Sequence, residues 1–101
     1  MEIIKWIENW FMSNCDGEWE HENIIKIEST SNPGWNIEIT LSDTSLEGVN
    51  VDYFLNEISD DNWYGYKVSN NKFTGVGDSS KLIFLLELFK KIILEKNPTT
   101  T

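Results

Sequence analysis

The spacing of apolar positions changes period twice along the chain. From Glu2 to Asn14, the residues Ile3, Ile7, Trp10 and Phe11 recur at helical spacing, flanked by Ile4 and Trp6, with Glu2, Lys5, Glu8 and Asn9 on the polar side. Asp16-Gly17 then interrupts the pattern, glycine being free to take the left-handed conformation that ends a helix. A period of two comes next. In "HENIIKIES" Ile25 and Ile27 share a parity; in "WNIEITL" Trp35, Ile37, Ile39 and Leu41 share one, and Asn36, Glu38 and Thr40 the other. "SNPGW" between them reads as a turn centred on Pro33 and Gly34, so the two segments form a hairpin. "SDTSLEGVN" is a polar connection. "VDYFLNEIS", "NWYGYKVS" and "NKFTGVG" are three further strands, the last two joined at Asn70-Asn71, a pair that tolerates positive φ. Gly75 and Gly77 are expected to let the last strand turn into a final helix.

Helical spacing returns with Leu82, Leu85, Leu86, Phe89, Ile92 and Ile93, a stripe broadened by Phe84 and Leu88. Asp78 or Ser79 can cap this helix, Lys90, Lys91 and Lys96 suit its C-terminal dipole, and Asn97-Pro98 stops it. The expected domain spans residues 1–97, with 98–101 a frayed tail. Helix, about five strands, helix predicts an α+β fold: an antiparallel sheet with both helices packed on one face and the other face open to water.

Charge narrows the functions this fold could serve. The chain has 101 residues, 17 acids against 8 basic residues, and a formal charge of −9; every basic residue is lysine. Without arginine there is no bidentate fork for phosphate or carboxylate, and the net charge repels nucleic acid and anionic lipid while attracting a basic partner. No apolar run is long enough to span a bilayer, and "MEIIKWIENWF" has neither the basic start nor the small-residue cleavage site of a secretory leader. The single cysteine can form no internal disulfide, so a cytoplasmic location is expected.

One stretch concentrates the residues capable of chemistry. "CDGEWEHE", residues 15–22, holds the only cysteine and the only histidine among three glutamates. A nucleophilic cysteine needs a base and an electropositive setting. Cys15 has only His21 within reach and acids beside it, so it reads as a buried or half-buried structural residue. One cysteine and one histidine give no paired zinc spacing, and the acids lack the order of a calcium loop. No phosphate-cradling loop is present. No metal, cofactor or catalytic residue is therefore assigned. A strand beginning at Glu18 would put Trp19, His21, Ile25 and Ile27 on one face and Glu18, Glu20, Glu22, Lys26 and Glu28 on the other, where Glu38 could join them. Asp60-Asp61 forms a second acidic point in a loop. Trp63, just after it, is assigned to the core in preference to an exposed aromatic ringed by acids. Trp6, Trp10, Trp19 and Trp35 are assigned to the core rather than to a base-stacking platform.

"CDGEWEH", "IKIES", "NPGW", "DNW" and "KFTGVG", set between two helices, resemble the bacterial polymorphic-toxin immunity family 53 over nearly the whole chain. The resemblance implies a cytosolic antidote, not an enzyme, that binds and neutralises a cognate toxin domain, monomeric or as a homodimer. A basic toxin such as a nuclease would suit the charge. On this reading Glu18, Glu20, Glu22, Glu38, Asp60 and Asp61 meet the partner. Asp16, Gly17, Trp19, His21, Pro33, Gly34 and Trp35 build the scaffold. The rivals are a homo-oligomeric structural protein, motivated by Phe84 and Leu88, and a small enzyme using Cys15.

Overall fold

A computed structural model describes residues 2–96; the Asn97-Pro98 stop and the 98–101 tail lie outside the described residues. Helix α1 (Glu2–Asn14) is followed by a one-turn helix α2 (Trp19–Glu22) and five strands: β1 (Ile25–Thr30), β2 (Gly34–Thr40), β3 (Val51–Ser59), β4 (Asn62–Ser69) and β5 (Lys72–Asp78). Helix α3 (Leu82–Lys96) closes the described chain. The sheet runs β1-β2-β5-β4-β3, every neighbour antiparallel. Strands β3, β4 and β5 form a meander, and β2 reaches β3 by a crossover yet pairs with β5, which is Greek-key connectivity.

Turn chemistry sets the β4–β5 hairpin. Asn70 and Asn71 have φ of 53° and 58°, the pairing of two positive-φ residues that a type I′ turn requires, and Ser69 faces Lys72 across it. Asn71 also reaches outside its hairpin. Its carbonyl accepts from the Leu41 N–H at 2.8 Å, and its side-chain oxygen from the Gly48 N–H at 2.8 Å, so this turn fixes both ends of the β2–β3 crossover. The β1–β2 loop is Ser31-Asn32-Pro33. Gly34 is not at its centre, as the sequence implied, but is the first residue of β2, paired with Thr30 and Asp78. A Cβ there would collide with the Gly77 carbonyl oxygen.

The helix side of the sheet carries Trp35, Ile37 and Ile39 from β2, Phe73 from β5 and Val68 from β4, and all but Trp35 are fully buried. Against it lie Ile3 and Ile7 of α1 and Leu85, Leu86, Phe89, Ile92 and Ile93 of α3. Most of each predicted helical stripe is thus buried, while Trp10, Phe11 and Leu82 are half-buried and Phe84 is exposed. Phe89 sits at the centre, its ring 5.1 Å from Trp10, 5.3 Å from Phe73 and 6.3 Å from Trp6, mostly edge-on. Gly75 and Gly77 do not turn the chain; they lie inside β5 under α3. A Cβ on Gly75 would meet Leu85 at 3.3 Å, and one on Gly77 the Lys81 Cβ at 2.8 Å. Their bare backbone lets α3 approach the sheet closely. Leu46, within the connection that looked purely polar, is fully buried.

Candidate functional site

The segment that gathers cysteine, histidine and glutamates is a turn leading into one turn of helix, not the start of a strand. Asp16 Oδ1 accepts from the N–H groups of Glu18 and Trp19 at 2.9 and 2.8 Å, and Glu20 reaches back to accept from those of Asp16 and Gly17. This reciprocal arrangement resembles a capping box. The Trp19 and Glu18 N–H groups hold the Asp16 carboxyl below its ordinary pKa. Gly17, at φ 95°, supplies the left-handed residue between the two helices. Trp19 is buried, donates its indole N–H to the Ser42 carbonyl at 2.7 Å, and packs edge-on against Trp10 and Phe11. Asp16, Gly17 and Trp19 therefore hold the junction between helix and sheet. His21 does not; its side chain is exposed.

The helical turn breaks up the expected row of glutamates. β1 starts only at Ile25. Glu18 and Glu22, four residues apart, share one side of the turn, where they line a shallow cavity of about 200 Å³ with Asp16, Trp19, Asn23 and Asp43. Glu20 is turned inward to the backbone. Cys15 is exposed rather than buried, its thiol donating to the Phe11 carbonyl at 3.3 Å. Partial desolvation, with Glu20 and Asp16 close by, raises its pKa and keeps it a thiol, a poor nucleophile. Among the described residues no group of three His, Cys, Asp or Glu side chains could hold a metal ion.

The face away from the helices divides into two halves. Across β1, β2 and β5 charges alternate and pair. Lys26 faces Glu38 in register, Lys72 lies 3.7 Å from Glu38, Lys26 lies 3.7 Å from Glu28, and Asn36 donates to Glu28. Glu38 is thus tied to lysines and is no part of an acidic row. At the other edge the pattern changes. Tyr53, Leu55 and Glu57 of β3 stand beside Trp63 of β4 and, with Asn32 and Asp60 from the turns, enclose a groove of about 530 Å³. Trp63 is half-buried and lines this groove; it is not core. Among the described residues no lysine pairs with Asp52, Glu57, Asp60 or Asp61.

At this same end Asp78 is buried and shared by three elements. It accepts from the Trp63 N–H of β4, from the Ser80 N–H and hydroxyl ahead of α3, and from Lys81 at 2.8 Å. The Lys81 ammonium and Ser80 hydroxyl hold its carboxyl far below the usual carboxylate range. It ties β4 to the end of β5 and to the turn that leads into α3, and so holds the backbone of Trp63.

Residues 4–94 match the family model described as Immunity protein 53. The chain belongs to that family. No curated protein and no solved structure matches it. Among the described residues no helix is long and apolar enough to cross a membrane. Within this family member, the groove residues that the sequence pattern did not single out are Tyr53, Leu55, Glu57 and Asn32. One signal is present: residues 51–66 contain four acids and no basic residue, and apolar side chains on both parities. The sheet order, which alone places this strand at an edge, is not encoded in that local pattern.

Proposed function

We propose that this Immunity protein 53 family member acts in the cytosol as an antidote, binding a cognate toxin domain and blocking it without chemistry of its own. The match over residues 4–94 is the observation that carries this reading. The formal charge of −9 refines it: the partner is basic, and a nuclease domain with a cationic cleft is the toxin type that fits. Among the acids proposed for contact, Glu18, Glu22, Asp60 and Asp61 are exposed and point to solvent-side roles. Glu20 and Glu38 are engaged within the fold and contribute mainly to its shape and field.

The test is calorimetry and stopped-flow association with the toxin domain encoded beside this gene, at low and high salt. The expected result is tight binding whose association rate drops by about tenfold or more from 50 mM to 500 mM salt. Absence of binding between the two folded proteins would overturn the antidote reading for that pair. Tight binding indifferent to salt would remove the acidic surface from the mechanism while keeping the antidote.

A further inference from the structure

The groove at the β3–β4 end combines three properties. It sets aromatic and apolar side chains among polar ones: Tyr53 is 56% exposed and Leu55 48% exposed, and Trp63 faces Glu57 across the strands. It contains carboxylates, Glu57 and Asp60, without a lysine partner, whereas Glu8, Glu28, Glu38 and Asp78 each have one. It also borders an unpaired sheet edge, since β3 has β4 on one side and no strand on the other. The position of Tyr53 is built in. A Cβ on Gly65 would meet the Tyr53 hydroxyl oxygen at 2.5 Å and its Cζ at 2.9 Å, so the ring lies across a glycine that leaves room for it.

We infer that this groove receives a lysine or arginine side chain from an extended segment of the toxin partner, lying alongside β3. The inference rests on the antidote reading and gives it a location. Charge complementarity selects the occupant. A cation entering here offsets one of the two negative charges of Glu57 and Asp60, and aromatic rings add attraction that strengthens as water is excluded. The aliphatic stem of the same side chain covers Leu55. A polypeptide, rather than a small free cation, also satisfies the open N–H and C=O groups of the β3 edge. Glu18 and Glu22, with Asp16 and Asp43, lie at the opposite end of the sheet beside the crossover, around a smaller cavity of about 200 Å³. They steer the encounter and do not anchor it.

The experiment compares two surface variants of the full chain, E57Q/D60N and E18Q/E22Q, together with Tyr53→Ala, for binding to the adjacent toxin domain. Circular dichroism confirms that each is folded. E57Q/D60N and Tyr53→Ala are each expected to weaken binding by about tenfold or more, mainly through faster dissociation, while E18Q/E22Q slows association only. Wild-type binding retained by both E57Q/D60N and Tyr53→Ala overturns the groove and leaves the antidote reading intact. A parallel titration with a tri-arginine peptide, followed by amide and indole N–H chemical shifts, reads the groove without the toxin. Shifts concentrated at Tyr53, Leu55, Glu57, Asp60 and Trp63 support the assignment even if that toxin fails to bind; shifts spread over all acidic surfaces overturn it. A second copy of the chain on this edge also overturns it, and would appear in sedimentation as a dimer dissociated by Ile58→Lys.

Discussion

Asp78 illustrates how much of this fold depends on single polar atoms. Its carboxylate is buried and receives hydrogen bonds from β4, from the turn before α3 and from Lys81. Those donors favour the ionised form, so the folded pKa lies below the ordinary value of 3.8 and the unfolded chain binds the proton more readily. The stability it contributes is complete above that ordinary value and is lost as pH falls below it. Asp78→Asn keeps an acceptor but loses the charge. Thermal melts should show a lower midpoint at pH 7 and a smaller loss on going from pH 5 to pH 3 than in the wild type; an unchanged pH profile would assign the acid sensitivity to other carboxylates. The sequence marks Asp78 only as a helix cap, because its bond to the Trp63 N–H depends on the β4–β5 register. The bonds of Asp16 and the positive φ of Gly17 are local in sequence, whereas Trp19 depends on the Ser42 carbonyl, 23 residues away. The place of His21 is not legible: its scarcity draws attention, while its surroundings leave it in solvent.

Among the elements, strands with one buried face are legible in the sequence and the short helix is not. β2 alternates because one of its faces meets the helices, and the Asn70-Asn71 turn has local chemistry that admits few alternatives. The glutamates at 18, 20 and 22 have a spacing of two that mimics a strand. The competing signal is Asp16 followed by Glu20, whose reciprocal bonds to the backbone, like those of a capping box, fold the chain just ahead of the helical turn. The β5 glycines are equally opaque, since their purpose is contact with α3, which no local pattern reveals. Gly77→Val should therefore overpack the α3–β5 contact and cost about 1–3 kcal/mol in urea unfolding. A neutral result would mean that Lys81 moves aside freely.

Across the whole molecule the sum of the charge is legible and its arrangement is not. Composition gives −9, but the pairing of Lys26, Lys72 and Lys81 with Glu28, Glu38 and Asp78 decides which acids remain available. The same charge protects the exposed apolar edge. Tyr53, Phe54, Leu55 and Ile58 are all about half exposed or more on β3, a strand free to pair with another copy once repulsion disappears. Light scattering is expected to rise sharply near pH 4.4, the isoelectric point, and Ile58→Lys to suppress it. Scattering unaffected by that substitution would point to a different sticky surface.

The two bonds from Asn71 to the crossover have a consequence for strand alignment. A β4–β5 hairpin slipped by one residue would remove the Asn71 carbonyl from Leu41 and its amide oxygen from Gly48 together. The crossover thus proofreads the hairpin, penalising a misregistered pairing at a point remote from the mispaired side chains. Asn71→Gly keeps a residue suited to positive φ but deletes the amide. Hydrogen exchange should then quicken across residues 41–50 while protection in β4 and β5 persists; equal loss in both would show that the turn holds the hairpin alone.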